Sequence, residues 1–346
     1  MDRTKQNDII RHARAMADRA SFVADDFARA LFPRTAVVFN DRMRSNAQQY
    51  LHGMVNKIEQ RLCEIATRDL GVGHDMLRSI GQGGDGQSFA LLESSGLLNQ
   101  TEIVQHLFVK TQQMELAARL LQKISQEDLE STLTRHLDHE DPPVAQAAMG
   151  LLVAQSKSVG SAGEVAVSLA DLPPEIVYAI TWPVTAALAR LSTSPGSRLQ
   201  QAAERLLVEH DESAGLARKA ERLAQLLEQG ETEKNPVPHP MKDGLSLFVA
   251  RLARQSGLSS DQIVTFTAEP NMARFIVVLR ATDYPVQDAL SIYAALDSGD
   301  NILTAASYGE LDRDRSVDLV TRWAAPEAYQ NAERILSRDY LNEAGK

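Results

Sequence analysis

Cysteine, aromatic residues and long apolar runs are all scarce in this sequence, and each scarcity excludes a class of protein. The single cysteine, Cys63, cannot form an internal disulfide, so the fold is not held by one. Aromatic residues make up only 5% of the chain, which disfavours a dense all-β core. The longest uncharged apolar stretch lies between Glu175 and Arg190 and contains Pro183. Because a membrane span needs roughly twenty residues, we interpret this stretch as a buried core helix that is kinked or broken.

The residues that are abundant favour helices. Leu, Ala, Gln, Glu and Arg recur throughout, and their side chains lose little rotamer freedom in a helix. With 346 residues and 44% hydrophobic content, the chain has enough apolar surface to bury real cores. No apolar segment follows Met1, which predicts that there is no signal peptide. We therefore expect an all-α protein of the reducing cytoplasm.

Charge is unevenly distributed along the chain. The net charge is −10, yet residues 1–50 carry nine Lys or Arg against six acidic residues. The acidic remainder repels nucleic acid and anionic membranes at long range and attracts basic partners. The basic segment is either a solvated, mixed-charge helix surface or a second partner-binding site. The candidate partner-binding residues are Arg11, Arg14, Arg34, Arg42 and Arg44.

A long amphipathic helix is predicted over residues 41–70. Its apolar residues step by four, three, four and three positions, which is the spacing of one helix face. The residues of this seam are Leu51, Val55, Ile58, Leu62 and Ile65. The seam requires a partner helix, which is either another part of this chain or the same helix of a second copy in a homodimer.

Glycine and proline divide the chain. Glycines from Gly71 to Gly86 interrupt the helical pattern, and Glu231–Pro240 is polar and rich in proline, which indicates a linker. The predicted segments are an amino-terminal helical region at 1–80, a helical-repeat domain at 88–228, a proline-rich linker at 229–243 and a carboxy-terminal helical-repeat domain at 244–346.

One spacing occurs twice in the sequence. A leucine is followed after six residues by a proline, and the valine beside that proline is followed after three residues by an alanine. The two copies are Leu137, Pro143, Val144 and Ala147, and Leu279, Pro285, Val286 and Ala289. A second phrase, Ser-Gly-Leu followed by Ile-Val, begins at Ser95 and again at Ser256. Such repetition is typical of stacked helix pairs.

The segment from Leu137 to Leu152 resembles the turn and second helix of a HEAT repeat. Together with the preceding amphipathic helix, the chain resembles an uncharacterised bacterial family of all-helical, HEAT-repeat-like proteins of unknown function. The resemblance covers the middle and carboxy-terminal two thirds of the chain. It implies degenerate, α-solenoid-like helix-pair repeats and supplies no active site.

Two polar segments suggest binding chemistry. The loop Gly81–Gly86 has the glycine spacing of a phosphate-binding loop, but Gln87 replaces the essential lysine and Asp85 adds a repelling carboxylate. The segment from His136 to Asp141 contains two imidazoles and three carboxylates, which are metal ligands. Because this segment lies at the predicted repeat turn, where polar residues are solvated, solvated polar residues are the preferred interpretation.

The turn at Gly257 has the spacing of a DNA-binding helix-turn-helix, with a small Ala253 before it and Ile263 after it. The would-be recognition helix from Ser259 to Ala268 carries Asp261 and no basic residue, although phosphate contacts dominate DNA affinity. A structural helix hairpin is therefore the preferred interpretation. The aromatic residues are interpreted as packing anchors: Trp182, Trp323, Tyr178, Tyr293 and Tyr329.

These observations predict a non-catalytic, cytoplasmic scaffold or regulatory protein that binds another protein through exposed helix faces, without a cofactor or metal. Insertion into a membrane is not expected. Two alternatives stay open. One is a nucleic-acid-binding regulator that uses the Gly257 turn, and the other is an enzyme or nucleotide-binding protein with its site at Gly81–Gly86.

Overall fold

A computed structural model of the chain describes residues 9–16, 41–71, 87–123, 136–158, 167–192, 196–229, 237–296 and 303–326, with short stretches between 328 and 336. Every regular element in these residues is helical, which confirms the all-α prediction. The α-helices are α1 (9–16), α2 (Asp41–Leu70), α3 (Gln87–Ser95), α4 (Thr101–Lys123), α5 (Pro142–Ser158), α6 (Pro174–Leu191), α7 (Gly196–Glu209), α8 (Leu216–Gln229), α9 (Pro240–Asp243), α10 (Leu245–Ser256), α11 (Ser260–Thr267), α12 (Ala273–Ala281), α13 (Val286–Leu296), α14 (Ala305–Gly309) and α15 (Arg313–Ala324).

The described residues fall into two compact units, and each unit combines segments that are separate in the sequence. Unit 1 takes its residues from Met1–Ala20, Leu116–Thr134 and Ala224–Lys346. Unit 2 takes its residues from Ser21–Glu115 and Arg135–Leu223. Both units therefore draw on more than one of the contiguous segments predicted from the sequence.

Helix α2 organises unit 2. Its first half runs antiparallel to α4, because Arg42 Nε lies 3.1 Å from Glu115 Oε1 and the ring of Tyr50 lies 6.0 Å from that of His106. Its second half packs against α6 and α7. Apolar residues at helical spacing along α2 are buried in the unit 2 core.

Salt bridges fix α7 antiparallel to the second half of α2. Arg61 Nη2 lies 2.8 Å from Glu209 Oε2, and Arg205 Nη1 lies 3.5 Å from Asp69 Oδ2. Arg198, near the start of α7, donates to the carbonyl of Gly71 at the end of α2. These pairs are partly exposed, so the buried apolar contacts carry most of the stability.

Both copies of the Ser-Gly-Leu phrase place a left-handed glycine directly after a helix. Gly96 follows α3 with φ +72°, and Gly257 follows α10 with φ +73°. A left-handed residue after a helix is favourable for glycine because it has no Cβ. In each copy the next helix buries its Ile-Val pair, which is Ile103–Val104 in α4 and Ile263–Val264 in α11. The connections themselves differ in length, because residues 96–100 lie between α3 and α4 whereas residues 257–259 lie between α10 and α11.

The Leu-Pro-Val-Ala copies are less alike. Both copies extend into the first turns of a helix, but Val144 is buried while the matching Val286 is only half-buried. Ala147 is half-buried, whereas the matching Ala289 is buried. The two helices therefore bury different faces. Moreover, α2 packs on α6 and α7, more than a hundred residues away in the sequence, whereas a simple repeat stack contacts its neighbours.

Unit 1 packs α12 against α15, and α10 against α11. The end of the predicted linker belongs to this unit, since Pro238, His239 and Asp243 are buried. The carboxylate of Asp243 explains this packing, because it accepts the amide hydrogen of His239 at 2.8 Å and lies 3.6 Å from Arg251 Nη1. A buried charge requires such partners, so this proline-rich segment is held in place.

A tight junction joins two 3₁₀ turns in unit 2, Leu169–Asp171 and Glu212–Ala214. The carboxylate of Asp171 accepts the amide hydrogen of Leu216 at 2.6 Å and so caps the start of α8. Between these partners, a Cβ atom on Gly215 would overlap the carbonyl oxygen of Ala170. Only glycine fits at this position.

We predict that Gly215→Ala destabilises the protein by about 2 kcal/mol, because the backbone at Ala170 must move to admit a methyl group. Gly309→Ala is the matched control, since a Cβ there would meet no atom within 4 Å. Urea unfolding followed by circular dichroism measures both variants. Equal midpoints for the two variants would contradict the close packing at Gly215.

Candidate functional site

Helix α6 is apolar on both its sides, although one side faces solvent. It carries no charged residue between Glu175 and Arg190. Its inner side is buried in the unit 2 core, and it runs without a break through Pro183. Its outer side is exposed or half-buried, and we call this surface the α6 face. The α6 face consists of Tyr178, Ala179, Trp182, Ala186 and Ala189.

Two aromatic side chains form the centre of the α6 face. Tyr178 is 59% exposed, and its ring meets that of Trp182 edge to face, with centroids 6.4 Å apart. Trp182 is half-buried, and its Nε1 is buried without a hydrogen-bond partner in the described part of the chain. Tyr and Trp are enriched where proteins bind one another, because they bury much area at little entropic cost. Two of the five residues of the α6 face, Tyr178 and Trp182, are therefore of the types that interfaces favour.

Aromatic residues were predicted to be packing anchors, and the structure separates them. Trp323 and Tyr293 are buried, as predicted. The prediction is wrong for Tyr178 and Tyr329, which are about equally exposed, at 59% and 60%. The missed signal for Tyr178 was in the sequence. Positions 178, 182 and 186 share a helix side that is opposite to the buried residues of α6. All three residues on that side are apolar or aromatic, whereas an ordinary surface helix has polar residues there.

A second helix, α5, also exposes apolar side chains. Met149, Leu152 and Val153 lie on one of its sides and are 37% to 50% exposed. This patch has no aromatic residue, and it ends at the polar, exposed Ser156 and Lys157. The α6 face is the stronger candidate.

The predicted seam is covered within unit 2. Its five residues, Leu51, Val55, Ile58, Leu62 and Ile65, are all at most 2% exposed and belong to the unit 2 core. The partner helices of the second half of the seam are α6 and α7 of the same chain. The apolar side of α2 is therefore buried within the fold of unit 2.

The residues of the predicted arginine site are divided between the two units, with Arg11 and Arg14 in unit 1 and Arg42 and Arg44 in unit 2. Arg11 and Arg14 lie exposed on α1, and Arg34 lies outside the described residues. Arg42 pairs with Glu115, which also accepts a hydrogen bond from Asn46, and Arg44 is exposed on α2. Arg42 thus serves the contact between α2 and α4.

Neither polar segment forms a described site. The loop Gly81–Gly86 lies outside the described residues. In the other segment, His136 is buried, while the exposed His139 accepts the amide hydrogen of Asp141 through Nδ1 at 3.1 Å, just before α5 begins. Over the ranges that the structure describes, no group of three or more His, Cys, Asp or Glu is arranged to hold a metal ion.

The helix-turn-helix at Gly257 is built into unit 1. Helix α11, the would-be recognition helix, buries Ile263, Val264 and Phe266. Gln262 donates a hydrogen bond to the carbonyl of Trp323, and the ring of Phe266 packs edge to face on that of Trp323. Because α15 covers this side of α11 and α11 has no basic residue, the helix has neither the exposure nor the charge that a DNA groove requires.

A histidine and a serine in unit 1 look like a catalytic pair, but the hydrogen bonds exclude this role. His239 Nε2 lies 3.0 Å from Ser291 Oγ, and the amide hydrogen of Met241 is donated to His239 Nδ1. Burial lowers the pKa of His239, which keeps the ring neutral. Since Nδ1 accepts, the ring proton sits on Nε2 and is donated to Ser291. A general base requires the opposite arrangement.

Tyr50 and His106 place two polar atoms in the core of unit 2. Tyr50 Oη and His106 Nε2 are buried and have no hydrogen-bond partner among the described residues. Burial and then the charge of Lys110 lower the pKa of His106 to about 4, and burial raises the pKa of Tyr50 far above its usual range. Both side chains are therefore neutral at physiological pH.

No family model, curated protein or solved structure matches this chain. None of the described helices is both long enough and apolar enough to cross a membrane.

We predict that acid weakens the fold through His106. Its pKa is lower in the folded state than in the unfolded state, so the contribution of the neutral ring is complete above pH 6.5 and is lost as the pH falls towards 4. The loss amounts to about 3 kcal/mol. Urea unfolding of the wild type and of His106→Leu across this range measures it.

The variant His106→Leu should flatten the pH dependence between pH 6.5 and 4. Identical pH profiles for the wild type and His106→Leu would show that His106 does not titrate in this way.

We predict no binding to random-sequence duplex DNA at about 50 mM salt, where non-specific electrostatic binding is strong. The physical reason is the burial of α11 and its lack of basic residues. Fluorescence anisotropy of a labelled duplex measures binding. A salt-sensitive rise in anisotropy would revive the nucleic-acid alternative.

Proposed function

We propose that this protein is a non-catalytic interaction protein whose α6 face binds a protein partner. The observation that carries the proposal is the edge-to-face pair of the exposed Tyr178 and the half-buried Trp182, followed along the same helix side by the exposed Ala186. Contiguous exposed apolar surface is disfavoured on a soluble protein unless something covers it. A partner that buries Tyr178 would remove this surface from water.

The geometry of the pair supports this proposal. Trp182 is held against the core by its half-buried ring, and it supports the more exposed Tyr178 from one side. An aromatic side chain with few rotamers loses little entropy when a partner orders it, so its burial contributes efficiently to affinity. The neighbouring Ala179 and Ala186 are small, and they allow a helix or an extended segment to approach α6 closely.

We also propose that the helix pairs are degenerate HEAT-like repeats of the bacterial family that the sequence resembles. The left-handed glycines that follow helices at Gly96 and Gly257 support this idea. The packing of α2 on α6 and α7 departs from a simple repeat stack, so any such repeats have been rearranged. The free Cys63 agrees with a cytoplasmic protein.

The experiment that tests the interface is affinity capture from an extract of the source organism, with quantitative mass spectrometry. We expect Tyr178→Lys to lose the captured partner by about tenfold or more, because it places a charge in the centre of the α6 face. Tyr329→Lys is the matched control, since Tyr329 has the same residue type and nearly the same exposure in unit 1.

Circular dichroism and a thermal midpoint show that both variants fold, as expected for exposed positions. The proposal fails if the wild type captures no reproducible protein, or if Tyr178→Lys retains every protein that Tyr329→Lys retains.

A further inference from the structure

The start of α6 and the end of α7 lie side by side. His210, which follows α7, is hydrogen-bonded through Nε2 to the carbonyl of Leu172 at 3.0 Å, just before α6 begins. Tyr178 lies four residues after Pro174, the first residue of α6, which is about 6 Å along the helix at 1.5 Å per residue. Val208 is two residues before His210 and is 86% exposed. Two strongly exposed apolar side chains thus lie at one end of the α6–α7 hairpin.

This end of the hairpin is acidic. Residues 169–178 and 204–214 together contain six carboxylates and one basic residue, Arg205. The carboxylates are those of Asp171, Glu175, Glu204, Glu209, Asp211 and Glu212. This short region therefore holds a large share of the net charge of −10.

The hydrogen bonds and ion pairs divide these carboxylates into two groups. Glu209 pairs with Arg61, and Glu212 pairs with Arg218, each at 2.8 Å. Asp171 and Asp211 accept backbone amide hydrogens. In the described part of the chain no ion pair reaches Glu175 or Glu204, which are both exposed. Their charges face solvent.

These two carboxylates stand beside the two exposed apolar side chains. Glu175 is three residues before Tyr178 on α6, and Glu204 is four residues before Val208 on α7. Residues three or four apart share a helix side. Each exposed apolar side chain is therefore accompanied by an unpaired carboxylate on the same side of its helix.

We infer that this acidic end of the α6–α7 hairpin binds a basic amphipathic segment of the partner protein, and this inference rests on the proposed function of the α6 face. Apolar residues of the segment cover Tyr178 and Val208, and its lysines or arginines face Glu175 and Glu204. The negative charge attracts a basic segment and repels an acidic one, so it sets the choice of partner. Salt weakens the association because the carboxylates are exposed.

The test uses two labelled synthetic helical peptides, one of leucine and lysine and one of leucine and glutamate, with fluorescence anisotropy at several salt concentrations. We expect the full-length protein to bind the lysine peptide and not the glutamate peptide. The double variant Glu175→Lys with Glu204→Lys should weaken binding of the lysine peptide by about tenfold or more.

The matched control is Glu310→Lys with Asp318→Lys, which changes the net charge equally at two exposed positions in unit 1. We expect it to bind the lysine peptide nearly as the wild type does. Val208→Ser adds a readout that cannot disturb the core, because Val208 is 86% exposed. It should weaken binding several-fold.

The inference is overturned if the lysine peptide does not bind, if both double variants weaken binding equally, or if Glu175→Lys with Glu204→Lys has no effect. Equal weakening would mean attraction by net charge alone. Each of these results leaves the proposed function intact as long as Tyr178→Lys still abolishes partner capture. Retained capture by Tyr178→Lys would instead refute the proposed function itself.

Discussion

The burial of one side of α2 is the constraint on which unit 2 depends. This thirty-residue helix is too long to be covered by a single neighbour, so it is covered in two halves. Helix α4 runs along the first half, and α6 and α7 lie along the second. Because α6 must follow the inner side of α2, its other side is left towards solvent. The exposed α6 face is therefore a geometric result of how α2 is covered.

Buried apolar contacts hold these helices, and charges fix their direction. The arginines of α2 and α7 pair with Asp69 and Glu209 at the surface, where each pair contributes little stability but an opposite arrangement would place like charges together. Glu175 and Glu204 do not take part in these ion pairs between α2 and α7. Both carboxylates are exposed to solvent, next to Tyr178 on α6 and Val208 on α7.

The sequence was sufficient for the helical class, for α2 and for its buried seam, because periodicity is a local property that one helix displays by itself. The shared Ser-Gly-Leu phrase also coincides with helix ends, because glycine is the residue that a left-handed position after a helix favours. The sequence could not choose between an internal and an external partner for the seam. That choice depends on which distant helices meet, and no local pattern records it.

The candidate site was harder to predict for a related reason. A helix without charged residues is predicted to be a core helix. Nothing in the sequence around Tyr178 shows that its side of α6 is left exposed by the other helices. The buried end of the predicted linker shows the converse case. Its polar and proline-rich residues predict a linker, but the buried carboxylate of Asp243 accepts a hydrogen bond from His239 and lies close to Arg251.

Pro183 gives the α6 face a property that its apolar composition conceals. Proline has no amide hydrogen, so the carbonyl of Ala179 loses the donor that an α-helix supplies four residues later. The helix is therefore one backbone hydrogen bond short in the turn between Tyr178 and Trp182. Because a helix bends most easily where such a bond is missing, the α6 face is carried by a backbone that is weakest beneath its two aromatic residues.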